Sequence, residues 1–420
     1  MPAMADASTS AVSEARQLSP MPTLARRTQE IKASPTNAMN KRAADMKLAG
    51  RDTIPLSLGE PDFHTPENIK AAGIAAIERN FTKYTPADGH GPLKEALSRK
   101  LARDNGLTFA PDQIVVGGGA KSIILAALLS IVDPGDEVIV PTPYWVTYPD
   151  LVTLVGGVTV FAPCNDTTGF KLTPSMLRSV LSPRTRAIIF NSPNNPSGAV
   201  YSIDEIKDLA AVLIDHPNVW VVTDELYEHI VYDNHKATSF AKAAPELAQR
   251  VITINGFSKG YVMTGWRLGF AAAAKPVIKS MAGLLSHMNG SPSSIGQAAA
   301  MEALDGDQAF IDQNRKTFEE RRNLIIERAN NIPGLSAVKP SGTFYCYINC
   351  GGWIGRVSAG GRKLETDVDA SEALLDETGV AVMPGEAFGC SPFFRVSYAL
   401  EVALLRKAMD RIQEFAQGLR

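Results

Sequence analysis

Short, almost wholly apolar runs recur through the middle of the chain: Val138-Ile139-Val140, Ala187-Ile188-Ile189-Phe190, Trp220-Val221-Val222 and Val251-Ile252-Thr253-Ile254. This recurrence limits the fold more than any other feature. A run without polar alternation leaves no face for water, so each reads as a strand buried on both sides. Residues 122–132 and 204–215 have helical spacing between such runs, and Asp133-Pro134-Gly135-Asp136 is a turn, because proline fixes φ and glycine permits φ above zero. Strands alternating with helices predict an α/β fold, a mostly parallel sheet flanked by helices. In open sheets of this kind ligands gather beyond the carboxyl ends of the strands, which is where the polar candidates of this chain fall.

The run ending at Ile254 leads into residues 256–269, GFSKGYVMTGWRLG. Lys259 stands there among Gly256, Ser258 and Gly260, small residues that let a bulky group approach. In a cleft with a cation nearby, a lysine loses its charge readily and becomes an amine nucleophile toward an aldehyde. Arg267 carries a planar fork suited to a phosphate. Two such cations also occur together as a solvated rim pair, so the pair alone decides nothing. An aldehyde with a phosphate suggests pyridoxal phosphate.

Gly117-Gly118-Gly119-Ala120-Lys121-Ser122 follows Ile114-Val115-Val116 and opens a helix, leaving backbone N–H groups free to face an anion. A nucleotide-binding P-loop is a poor match: Ala120 stands before the lysine where that motif has glycine, and Val115 holds its first-glycine position. No G-x-G-x-x-G opens a helix after a first strand, which disfavours a nicotinamide oxidoreductase.

Residues 256–269 resemble, at every position, the cofactor-lysine signature of the class I pyridoxal-phosphate aminotransferases. The resemblance extends from about residue 33 to the C-terminus, and among that family the chain is similar to bacterial aspartate aminotransferases, some of them also prephenate-active. It implies pyridoxal-phosphate fold type I, with a large α/β domain over residues 66–309 and a smaller α/β domain from residues 23–65 and 310–420. It implies that Lys259 holds pyridoxal 5'-phosphate as a Schiff base and moves a proton once freed. Asp224, in Thr223-Asp224-Glu225-Leu226-Tyr227, would pair with the pyridine nitrogen and keep the ring cationic. Tyr227 and Asn195, the latter within Asn194-Asn195-Pro196-Ser197-Gly198, would hydrogen-bond the phenolate oxygen, and Trp145 would stack on the ring. Gly119, Ala120, Lys121 and Arg267 would hold the phosphate.

The same resemblance places Gly59 and Arg395 at the substrate carboxylate. It places Tyr84 at the phosphate of a neighbouring subunit, which implies a homodimer with active sites at the interface. The implied reaction is ping-pong transfer of an amino group from an L-amino acid, aspartate first, to 2-oxoglutarate or another 2-oxo acid. Use of aromatic or other non-acidic donors or of prephenate, and a lyase on the same cofactor, stay open, because the apolar helix after Lys121 offers no assigned cation for an acidic side chain. Gly256 departs from the family, many of whose members carry a phosphate-binding serine there.

Composition narrows the partners. A net charge of −2 without a basic run gives no nucleic-acid surface. The longest apolar stretches, such as residues 123–132, are about half the length that crosses a bilayer. Cys164, Cys346, Cys350 and Cys390 are spaced for neither a disulfide framework nor a metal site, which fits a cytoplasmic setting. Residues 1–22, rich in Ala and Ser, read as a flexible tail, residues 308–330 as one long helix, and the glycine-rich stretch 351–363 as a surface loop. Strands are expected over residues 342–348 and 394–398.

Overall fold

The computed structural model of the chain describes residues 22–31 and 35–420. Seven strands make the central sheet: β1 Ile114–Gly117, β2 Glu137–Pro141, β3 Val158–Ala162, β4 Thr185–Asn191, β5 Trp220–Asp224, β6 Val251–Gly256 and β7 Gly269–Ala272. Their order is β1-β7-β6-β5-β4-β2-β3. The pairs from β6 through β5, β4 and β2 to β3 are parallel, and β7 runs against both of its neighbours.

All four apolar runs lie in this sheet, and the side-chain alternation explains their composition. Val138, Val140, Val222 and Ile252 turn to one face, under the helices Ala120–Ile131 and Lys275–Met288. Ile139, Val221 and Val251 turn to the other, against Leu97 of helix Gly91–Lys100 and Leu209 and Leu213 of helix Ile203–Ile214. With both faces covered, every position of a strand must be apolar.

Helix boundaries follow local chemistry. The helix expected from residue 122 begins at Ala120, because Gly119 with φ 97° turns the chain sharply before it. The one expected over 204–215 runs Ile203–Ile214 and starts on a capping box in which Ser202 accepts from the Glu205 N–H. The long helix runs Ala309–Asn330.

A second, antiparallel sheet holds β8 Ser336–Ala337, β9 Tyr345–Asn349, β10 Met383–Pro384 and β11 Phe393–Ser397, in the order β10-β11-β9-β8. It packs on helices Ala309–Asn330, Asp367–Thr378 and Val402–Gln417 through Ile325, Ala370 and Leu405. The strand expected from residue 342 starts only at Tyr345, since Thr343 has φ 62°, outside the extended region. The stretch 351–363 is not a plain surface loop. Trp353 is 1% exposed and its Nε1 donates to the Pro333 carbonyl, so an indole anchors the segment to the core. The tail expected over residues 1–22 falls, up to residue 21, outside the described residues.

One contact fixes where the sheet meets the helix that opens at Ala120. A methyl group at Gly269 would lie 2.5 Å from the Ala120 nitrogen and 2.7 Å from the Gly119 carbonyl carbon, both backbone atoms that cannot rotate away. Gly269→Ala is therefore expected to cost about 1–3 kcal/mol of stability, read as a lowered melting temperature of the protein freed of cofactor.

Candidate active site

The carboxyl ends of β4, β5 and β6 and the turn after β1 open onto one cavity of about 460 Å³. Its wall brings together Lys259, Asp224, Tyr227, Asn195, Trp145, Arg267, Ala120, Lys121, Gly59 and Arg395, every residue assigned to the site from the sequence except Gly119 and Tyr84. Gly119 adjoins it at the N-cap of helix Ala120–Ile131, and Tyr84 is 96% exposed, outside the cavity of its own chain.

Lys259 enters from the turn after β6, and its Nζ donates to the Gly59 carbonyl. Burial pulls its pKa down to about 8; Arg395 and Arg267 push the same way, while Glu60 and Asp224 oppose. At neutral pH that raises the uncharged amine fraction on the order of a few hundred-fold over an ordinary lysine.

Asp224 ends β5 with 5% exposure, its Oδ2 accepting from the Tyr148 hydroxyl at 2.7 Å and its Oδ1 from the Leu226 N–H at 3.3 Å. Burial raises its pKa, and those two donors and Lys259 counter the rise. Glu225, next in sequence, turns away: its Oε1 accepts from Thr223, Ser239 and the Phe240 N–H, and burial pushes its pKa up to about 7. The Tyr227 hydroxyl meets that of Tyr345 at 3.1 Å. Asn191, the last residue of β4, bonds both the Asn195 N–H and the Asp224 carbonyl, at 2.9 and 2.8 Å, tying the two loops together.

Arg395, on β11, is 3% exposed. Its Nη1 donates to Asn195 Oδ1 at 3.0 Å and its Nη2 to the Ser57 carbonyl at 2.8 Å, while its Nε has no partner. Tyr345 and Phe388 present their rings at 4.2 and 5.0 Å. Among the described residues no carboxylate lies within bridging distance of it. Burial lowers its pKa, and the neighbouring tyrosines act in the opposite sense. With its oxygen taken by Arg395, Asn195 has its amide nitrogen left for the cavity.

The far end is an anion cradle. Helix Ala120–Ile131 presents its unbonded first-turn N–H groups, and the Arg267 guanidinium closes over them so tightly that a methyl at Gly119 would lie 2.6 Å from Nη2. Gly256 lies outside the cavity wall, whereas Ser258 is on it. A side chain at 256 would meet the Leu268 carbonyl at 3.0 Å and Gly269 Cα at 3.2 Å, a tight fit that its neighbours would have to relax by a few tenths of an ångström to admit. The cradle, the buried amine and the carboxylate of Asp224 fit a phosphorylated aldehyde with a basic ring nitrogen, in a volume within the range of cofactor sites.

Three contributors escaped the sequence reading: Tyr148, Tyr345 and Ser57. Tyr148 follows Trp145 by three residues and packs edge-on against it at 5.4 Å, a spacing that signals a shared face. Tyr345 and Ser57 carry no such mark.

Residues 51–412 match the family described as aminotransferase class I and II. The chain is 48% identical over 389 residues to an aspartate/prephenate aminotransferase of Cereibacter sphaeroides, covering 93% of this chain and 97% of that one. It is 45% identical to an aspartate aminotransferase of Rhizobium meliloti, over 92% of this chain and 95% of that one. The crystal structure of the Thermus thermophilus aspartate aminotransferase with maleate superimposes with a TM-score of 0.88 at 39% identity, over 94% of this chain and all of that one. The chain belongs to the class I and II aminotransferases, the pyridoxal-phosphate enzymes that the lysine after β6 pointed to.

Proposed function

We propose that the protein transfers the amino group of L-aspartate to 2-oxoglutarate. The observation that carries this reading is Arg395: a buried cation without a counter-charge among the described residues, opening on the same cavity as a lysine whose pKa burial brings down to about 8. Such a cation is costly unless an anion arrives, and the carboxylate of an amino acid is an anion of the right shape for its fork.

Bound pyridoxal phosphate supplies an aldehyde that condenses with amines and a ring that withdraws electrons from the amino acid's Cα. Arg267, Ser258 and the start of helix Ala120–Ile131 would hold its phosphate, Asp224 would keep its ring nitrogen charged, and Tyr227 and Asn195 would donate to its ring oxygen. Tyr148 orients Asp224 and stabilises its ionised form. Trp145 offers a flat wall. Arg395 would fix the α-carboxylate, and the Lys259 amine would take the proton from Cα and return it one atom away.

Lys121 supplies the cation for the second carboxylate. Its Nζ lies 5.1 Å from the Trp145 ring centroid on the cavity wall, and among the described residues it makes no ion pair. Desolvation, then Arg267, lowers its pKa. The N-terminus of its helix already offers backbone donors to the phosphate, so the ammonium is available to the substrate. This differs from the phosphate role expected from the sequence, and it answers why the apolar helix beyond Lys121 needs no further lysine.

The unit boundaries that fit are residues 66–309 for the cofactor half and residues 23–65 with 310–420 for the smaller half. A homodimer in which Tyr84 reaches the partner's phosphate accounts for a tyrosine 96% exposed on one chain, and a cytoplasmic setting accounts for four free cysteines. The relatives named for aspartate and prephenate support the acidic donor.

Adding L-aspartate alone to the cofactor-loaded protein is expected to replace its absorbance band with that of pyridoxamine phosphate and to release oxaloacetate; an unchanged spectrum would shift the donor to an apolar or aromatic amino acid. Lys259→Ala abolishes the change. Lys121→Met should raise KM for aspartate about ten-fold or more and leave KM for a non-acidic donor nearly unchanged, which a paired kinetic series checks. Cofactor capture by the apoprotein requires the neutral Lys259 amine, so its rate should climb as pH rises through about 8 and level off above, measured by stopped-flow absorbance.

A further inference from the structure

The loop of residues 57–65 brings two carbonyls to the site: Gly59 accepts from Lys259 and Ser57 from Arg395. Among the described residues, no backbone-to-backbone hydrogen bond holds residues 58–65 to the rest of the chain. Its placement therefore depends on side chains. On one side it is tied to the turn that follows Lys259: Thr264 Oγ1 donates to Glu60, Thr65 Oγ1 to the Val262 carbonyl at 2.6 Å, and Trp266 Nε1 to Thr65 Oγ1 at 3.1 Å.

On the other side the long helix Ala309–Asn330 holds it, through Arg321 and the ring of Phe318. Arg321 forms two parallel bonds to Asp62, Nη1 to Oδ1 at 2.7 Å and Nη2 to Oδ2 at 2.9 Å. The guanidinium lies 5.2 Å from the Phe63 ring and 5.7 Å from that of Phe318, and those two rings are 5.0 Å apart. The Arg321 side chain is 7% exposed and that of Asp62 21%, so the pair is shielded from water far more than a surface bridge. Neither residue lines the cavity.

We infer that Asp62 and Arg321 are positioning residues for the transamination: their two-pronged bond sets the loop beyond Ser57, itself held by Asn40, so that Gly59 faces Lys259. The inference rests on the aminotransferase reading above. A fork-to-carboxylate pair fixes direction as well as distance, which a single bond from a lysine would not. Loosening it lets the loop swing from the substrate side and leaves the cofactor side, held by other elements, in place.

The test compares Asp62→Asn and Arg321→Lys with Asp312→Asn, which removes an exposed partner of Arg315 on the same helix. The expected result is a rise of roughly ten-fold in KM for both amino donor and oxo acid in the first two, with kcat within a few-fold, unchanged cofactor affinity in an absorbance titration, and no effect in the third. Unchanged KM in the folded variants, or a loss of cofactor affinity that accounts for the whole decline, overturns the inference. Should Asp62→Asn fail to fold, Arg321→Lys, which keeps the charge, decides. A wild-type protein that turns over no amino donor defeats the aminotransferase reading instead; limited proteolysis within residues 57–65 then tests the pair, faster cutting of Arg321→Lys supporting it and equal cutting overturning it.

Discussion

A buried guanidinium with no counter-charge among the described residues is the constraint around which the site is assembled. Stripping Arg395 of water costs several kcal/mol unless other dipoles and rings replace it. The replacements come from widely separated parts of the chain: the Ser57 carbonyl, the Asn195 side chain, and the faces of Tyr345 and Phe388. None of them neutralises the charge. The second sheet, the loop after β4 and the segment before residue 66 must all reach the same point, so the position of one cation dictates how the two sheets sit together. The Asn195 amide couples that point to the cofactor side, because its oxygen serves the arginine and its nitrogen the cavity.

The sheet delivers the remaining groups by its direction. Because β4, β5 and β6 run parallel, their carboxyl ends lie side by side, and the residues that follow them, Asn195, Asp224 to Tyr227 and Lys259, converge without any long excursion. The reversal of β7 brings Arg267 and Gly269 back beside the start of helix Ala120–Ile131. That close approach is possible only with glycine at 119 and 269, where a methyl group would strike the guanidinium or the backbone.

Legibility in the sequence followed periodicity and chemistry. The central strands were readable because burial on both faces forces continuous apolar runs, and Lys259, Asp224 and Arg267 were singled out because the motifs around them resemble those of a known family. The start of β9 was not, since the left-handed Thr343 leaves no trace in a polar-to-apolar pattern. Trp353 was misjudged for the opposite reason: glycines around it suggest a loop, yet one indole of that size is worth more in burial than its neighbours are in exposure. Tyr148 and Ser57 were missed because each acts through another residue, and such partnerships appear only when distant segments meet. The approach of Lys121 to the Trp145 ring depends on two loops that the sequence leaves unrelated.

The balance at Lys259 shows why these pieces have to be assembled together. Desolvation alone depresses the amine, and two arginines deepen the effect, yet Glu60 and Asp224 pull it back, so its pKa settles at about 8 instead of far lower. An amine too acidic would be a poor proton acceptor from Cα, and one left at the ordinary lysine value would stay charged and unreactive at neutral pH. Each of these groups has another contact: Asp224 meets Tyr148, Glu60 accepts from Thr264, Arg395 donates to Asn195 and the Ser57 carbonyl, and Arg267 lies against Gly119. On the reading proposed above, a carboxylate beside Arg395 and a phosphate beside Arg267 would offset the two cations that add to the effect of burial on the lysine. Freed of them, Lys259 becomes a stronger base at the stage when a proton must leave Cα.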